Sequence, residues 1–219
     1  LYFQPVHSNT PGYPIAAEAL IRLHHPDGTL LAPGAFLDVA EETGLARPIG
    51  DWVIDETCRI AAGWARFGTP FRVAMNVSAA QLDEEFPALV ADALGRHGLR
   101  PDALVIELTE HTLLEADDDQ VARLVDLRGS GVRIALDDFG TAYSSLSHLR
   151  RFPVDVVKID KSFVAGICDS DQDNAIVRAV VELSQTFRFR VVAEGVETAE
   201  QLDQQRRLGC HGAQGYLIG

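Results

Sequence analysis

Short apolar runs alternate with longer stretches of helical periodicity along the whole chain. Residues 1–6 and 15–23 read as two strands joined by a turn at 7–14 that contains Asn, Pro and Gly. That link is too short for a crossover helix, so the pair is predicted antiparallel. Residues 33–44 read as a helix opened by Pro33 and stopped by Gly44. Residues 49–67 follow as a second helix, with Trp52, Val53, Ile60 and Trp64 at helical spacing. From there strands and helices take turns. Strands are predicted at 71–78, 103–110, 132–140, 154–160, 190–194 and 211–216, and helices at 81–97, 118–129, 171–187 and 198–208. Residues 141–148, small and polar, have the composition of a functional loop or a short helix cap.

This order repeats at about 25–35 residues, the size of a βα unit, and shows about eight strands. No unit carries a glycine-rich dinucleotide fingerprint or a phosphate loop. The economical architecture is α/β: a TIM-like (β/α)8 barrel whose first two strands are antiparallel. One domain filling residues 1–219 suits the length. The chain stops at Gly219 without a closing helix, which reads as part of a longer, multidomain protein.

In such barrels chemistry sits at the C-terminal strand ends. Here strand after strand carries a polar group there: Glu18, Asn76, Glu107, Asp137 with Asp138, Lys158 with Asp160, Glu194 and Gln214. Each has a plain structural reading. Glu18 could pair with Arg22 on its own strand, Asp137-Asp138-Phe139-Gly140 could be a solvated turn, and Glu110 could be a helix N-terminal acid. Asn76 could be a cap, although Ser78 is the better candidate. Buried carboxylates without partners cost several kcal/mol each, so the set as a whole points to a site. Alternation sends Asp137 and Asp138 to opposite faces, so bringing both to one site requires a turn, which Gly140 is predicted to supply.

The set is rich in carboxylates and lacks a His or Cys cluster, which suits Mg²⁺ or Mn²⁺ rather than Zn²⁺. There are more acids than one ion requires, which suggests two ions and a phosphoester substrate. Lys158 would orient the attacking hydroxide, or act as a general base if its pKa is depressed. A competing class is proton abstraction next to a carboxylate, with Lys158 as base. A net charge of −13 argues against a nucleic-acid polymer as partner. The three cysteines, Cys58, Cys168 and Cys210, have no metal-ligand spacing and read as thiols in a reducing, cytoplasmic setting. No apolar run approaches a membrane span.

Several motifs then become specific. Glu18-Ala19-Leu20 followed by Arg22, with Gln4-Pro5-Val6 upstream, resembles the signature of the EAL domain family. So do Glu41-Glu42-Thr43-Gly44-Leu45, Asn76-Val77-Ser78, Glu107-Leu108-Thr109-Glu110, Asp137-Asp138-Phe139-Gly140-Thr141, Val157-Lys158-Ile159-Asp160, Ala193-Glu194-Gly195-Val196-Glu197 and Gln214-Gly215-Tyr216, in order along the chain. The resemblance implies a bacterial signalling phosphodiesterase that hydrolyses cyclic di-GMP to linear pGpG with Mg²⁺ or Mn²⁺ and is inhibited by Ca²⁺.

It further implies that Glu18, Asn76, Glu107 and Asp137 bind a first ion and that Asp137, Asp138 and Asp160 bind a second. Lys158 would position the water, Glu194 would be a further acid of the site, and Gln214 would organise water or substrate. Gln4 and Arg22 would contact guanine and phosphate. Glu110 and Glu197 would hold the loop that follows Asp138. A homodimer and flanking sensory or GGDEF-type domains are implied as partners. Two departures stand out: Ala142 where the loop usually has glycine, and Leu23 where the family often has tryptophan. A degenerate member would be a cyclic di-GMP receptor or interaction module instead, but none of the implied ligands is missing.

Overall fold

The computed structural model describes residues 1–9, 15–65, 71–141 and 151–219. Eight strands close into a barrel: β1 (Tyr2–Ser8), β2 (Ile15–Leu20), β5 (Phe71–Asn76), β6 (Leu104–Thr109), β7 (Arg133–Phe139), β8 (Val156–Ile159), β9 (Arg190–Ala193) and β10 (Gly212–Ala213). A two-stranded ribbon, β3 (Leu23–His24) and β4 (Leu30–Leu31), stands apart from it. β1 runs antiparallel to both of its neighbours, β2 and β10, and every other barrel pairing is parallel. The predicted barrel with its antiparallel first pair is therefore the observed fold.

Several element limits differ from those read off the pattern. β2 stops at Leu20, because Leu23 and His24 leave to form the ribbon. The helix predicted at 33–44 is a 3-10 turn at Pro33–Ala35 and a short α-helix, α1 (Leu37–Glu42). α2 begins three residues before its predicted start, at Ala46, and is described to Ala65; residues 66 and 67 of its predicted end lie outside the described residues. The helix predicted from 81 begins at Phe86 (α3, Phe86–His97), with Pro87 in its first turn and Gly98 as its left-handed stop. Ser78, not Asn76, caps the preceding 3-10 turn, with its N–H donating to Gln81 Oε1 at 3.0 Å. Two short helices were not given bounds by the pattern, α4 (Glu110–Glu115), whose first turn holds Glu110 as the helix N-terminal acid weighed above, and α6 (Lys161–Ala165). Both start directly at strand ends, too short to show a period. α5 (Asp118–Gly129), α7 (Asp171–Phe187) and α8 (Ala199–Leu208) lie where predicted, each with an Asp, Ser or Thr side chain as N-cap.

Two cores result. The large one lies between strands and helices, around fully buried residues such as Ile54, Phe86, Leu104, Ile134 and Ile159. A small one fills the barrel with Ala74, Val105, Ala135 and Val156. The period-two alternation of strands explains what sits above it. Two residues beyond Ala16, Ala74, Val105, Ala135, Val156, Val192 and Gly212 come Glu18, Asn76, Glu107, Asp137, Lys158, Glu194 and Gln214. The first set lines a cavity of ≈ 90 Å³ within the barrel, with Glu107 and Lys158 also on its wall. The second set stands one step closer to the C-terminal mouth.

Candidate functional site

Lys158 is the centre of the mouth. It is 2% exposed. Its Nζ lies 3.2 Å from Glu18 Oε2, 3.0 Å from Glu107 Oε2, 3.1 Å from Asp137 Oδ1 and 2.7 Å from Glu194 Oε1. Burial alone would lower the lysine pKa. The carboxylates of Glu107, Glu194, Asp137 and Glu18 overcome that and raise it well above the ordinary value. Lys158 is thus a held cation, and a depressed pKa that would make it a general base is not found. Glu107 is pushed well up by burial and by the neighbouring charges of Glu18 and Asp137, against the pull of Lys158. Glu194 is raised to about 7, mainly by burial. Glu18 is opposed by burial yet lowered, by Lys158 and by hydrogen bonds from Gln214 and Asn76.

Hydrogen bonds tie the amides of the mouth to the same acids. Asn76 Nδ2 donates to Glu18 Oε1 at 2.7 Å, and Gln214 Nε2 donates to Glu18 Oε2 at 2.7 Å and to Gln4 Oε1 at 3.0 Å. Gln4 in turn reaches Gly219 O at 3.3 Å. Glu18 and Arg22 do not pair. Arg22 lies beyond the end of β2 and donates to Ile21 O at 2.8 Å.

Asp137 and Asp138 reach one site by a device the alternation rule does not contain. Leu136 pairs with Val157 and Phe139 with Ile159, so three steps along β7 oppose two along β8. The extra residue is a β-bulge. Asp138 itself takes the left-handed conformation, φ 53°. Aspartate tolerates that region better than most residues. The reversal therefore starts at Asp138, ahead of the predicted turn at Gly140. Gly140 follows with φ 104°, and a Cβ there would lie 2.6 Å from the Phe163 ring.

Two trios of carboxylates can each place one oxygen within 4.8 Å of the others: Glu18, Glu107 and Asp137, and Asp137, Asp138 and Glu194. Asp137 belongs to both. Two buried acceptors here make no hydrogen bond, Asp137 Oδ1 and Gln214 Oε1. Asp137 Oδ1 is near the ammonium but outside its hydrogen-bonding directions. Unbonded buried oxygens and hard donors in compact trios fit divalent oxygen-binding ions.

The other predicted residues surround this centre. Asp138, Asp160, Arg22, Gln4 and Glu197 line a cavity of ≈ 470 Å³ at the mouth, with Glu18, Asp137, Glu194 and Gln214. Asp160 is not in either trio. Its Oδ1 accepts from Ser162 N–H at 2.9 Å and so caps α6. Glu110 is buried, and its Oε2 accepts from Gly140 N–H at 3.2 Å, at the start of the loop it is expected to hold. The remainder of that loop, with Ala142, lies outside the described residues. Leu23 is exposed on the ribbon. The sequence reading did not single out Tyr2 or Lys161 and gave Tyr216 no role beyond its motif; all three also line the cavity. The one available signal was their position beside a strand-end motif.

Fold and site define a class: a closed barrel with one reversed strand and an acid-and-lysine cluster at its C-terminal mouth. The family model described as EAL domain matches residues 1–219, and the chain belongs to that family. It is 42% identical over 221 residues to the bifunctional diguanylate cyclase/cyclic di-GMP phosphodiesterase MucR of Pseudomonas aeruginosa, covering all of this chain and 32% of that protein. The solved MucR phosphodiesterase in complex with c-di-GMP superposes with a TM-score of 0.91 over 99% of this chain and 89% of that one, at 42% identity. The EAL enzyme Bd1971, in a form bound to cAMP and cyclic di-GMP, gives a TM-score of 0.90 at 29% identity, over all of this chain and 60% of that one. The chain thus spans about a third of the length of the curated relative. No described helix is long and apolar enough to cross a membrane.

Proposed function

We propose that this chain hydrolyses cyclic di-GMP to linear pGpG, assisted by two divalent ions of the Mg²⁺ or Mn²⁺ type. The observation that supports it most is the ring of four carboxylates around the Lys158 ammonium, in a chain whose whole length matches the EAL family. Glu18, Asn76, Glu107 and Asp137 would hold one ion. Asp137, Asp138 and Asp160 would hold the other, with Glu194 facing Asp137 and Asp138. The ions would supply charge for the phosphoryl group and a water acidified toward neutrality.

The chain's own groups do the rest. Lys158 donates hydrogen bonds to the attacking oxygen and offsets its charge, because its own proton is held by the surrounding acids. The new P–O bond forms from water, the P–O3′ ester bond breaks, and the departing 3′ oxygen takes a proton. Gln214 and Gln4, hydrogen-bonded to each other, orient the ligand beside Glu18. Arg22, on the cavity wall, meets phosphate. Glu110 and Glu197 secure the loop after Asp138, through which a homodimer and flanking domains of the full protein would act on the site.

The test is incubation of the purified chain with cyclic di-GMP and Mg²⁺ or Mn²⁺, followed by chromatography for pGpG. Product that disappears with Glu18→Ala or with Ca²⁺ in place of Mg²⁺ supports the proposal. Tight binding without turnover would make the chain a receptor. Absence of both binding and turnover would sink the reading.

A further inference from the structure

We infer that the Lys158 ammonium competes with a divalent ion for the same carboxylates, so that Lys158 sets how tightly the mouth binds metal. The inference rests on the reading of these acids as an ion site and not on the identity of the substrate. Glu18, Glu107 and Asp137 form the trio whose members are all buried. The ammonium stands within 3.2 Å of an oxygen of each. Ions of this class bond oxygen at about 2.1 Å, so an ion bonded to those oxygens would lie within roughly 5 Å of Nζ. Two cations that close, away from bulk water, repel strongly.

The ammonium cannot swing out to solvent. Its stem rises from β8 inside the barrel, and the side chain is 2% exposed. It does have a partner outside the trio: Glu194, at 2.7 Å the shortest of its four contacts. Binding an ion to the trio therefore shifts the ammonium's share of hydrogen bonding toward Glu194, on the side of the second trio. A lysine in this place weakens the first ion and, without that ion, offsets part of the charge of four facing carboxylates.

The experiment uses the purified chain and two readouts, Mn²⁺ affinity from the electron paramagnetic resonance signal of free ion, and melting temperature in EDTA and in saturating Mg²⁺. Lys158→Met keeps the stem and removes the charge. It is expected to bind Mn²⁺ at least about tenfold tighter than the parent. It is also expected to melt lower in EDTA and to gain more from Mg²⁺ than the parent does. Lys158→Gln, read in the same way, covers a methionine variant that folds only with ion present. If the parent binds Mn²⁺ and neither variant binds it more tightly, the competition is refuted. It is refuted equally if neither variant folds even with Mn²⁺, since the ion then cannot replace the ammonium. A parent that binds no Mn²⁺ removes the ion-site reading itself, a separate outcome.

Discussion

Two buried carboxylate centres lie at opposite ends of β8. Asp155, just before β8, accepts from Arg128 Nε at 3.0 Å, Arg133 Nη1 at 3.2 Å and the Ile134 N–H at 3.1 Å. One acid there meets three donors. At the other end of β8, Lys158 meets four acids, and Asp137 Oδ1 is left without a hydrogen bond. Both centres are buried and charged, so burial of charge does not by itself mark a site. The balance does. A carboxylate with surplus donors is finished as structure, and carboxylates with surplus oxygens are finished only by a further cation.

The comparison breaks most readily with Glu107→Gln against Asp155→Ala. Glu107→Gln is expected to lower turnover of cyclic di-GMP by about a hundredfold or more, since groups that only support a metal ligand already cost about 10–100-fold when lost. In EDTA its melting temperature should stay level or rise, because a buried acid that resists ionisation is replaced by a neutral amide. Asp155→Ala should do the reverse: activity per folded molecule unchanged, stability lower by about 2–3 kcal/mol. That corresponds to roughly 2–4 °C per kcal/mol for a chain of this size. A stability loss in Glu107→Gln as large as in Asp155→Ala would mean that the mouth is a structural ion-pair network.

The pH dependence sharpens the same contrast. Glu194 is raised to about 7 in the folded chain. In the unfolded chain it titrates near 4.5. Between these values the folded state holds a proton that the unfolded state has shed. With metal chelated, the melting temperature should therefore fall as pH rises from about 4.5 to 7 and level off above that, and Glu194→Gln should flatten that slope. A melting temperature that rises over this range would contradict the shift.

A smaller effect separates charge from backbone at Asp138. Asp138→Asn keeps a residue that tolerates φ 53°. Asp138→Ala does not, and should be less stable than the asparagine variant by about 1–2 kcal/mol in chemical denaturation. Both should lose activity. Equal stability of the two would mean that the left-handed turn at Asp138 is not a constraint.

Much of this was legible beforehand because strand periodicity is local. A polar residue two steps beyond an inward-facing apolar one must face the same way, so Glu18, Asn76, Glu107, Asp137, Lys158, Glu194 and Gln214 could be placed at one mouth. Less was legible where geometry departs from the repeat. Asp138 reaches the mouth through a bulge, and a bulge follows from the pairing of β7 with β8, not from the Asp-Asp-Phe-Gly string. Asp160 shares the inward parity of Lys158, yet β8 stops at Ile159 and the carboxylate caps α6. The 3-10 turn and short α1 in place of one helix at 33–44, and the short helices α4 and α6, fall below the length at which a period can be read.

The sequence by itself determined the barrel, its reversed first strand, and the list of groups at its mouth, since each depends on spacing along one strand or one connection. Only the tertiary structure decided which of those groups touch. That Lys158 stays charged, that Asp137 is common to two acid trios, and that Asp155 is satisfied while Asp137 is not are sums of contacts from β2, β6, β7, β8 and β9. Electrostatic energies between buried groups change steeply over a few Å, and those distances exist only once the barrel has closed.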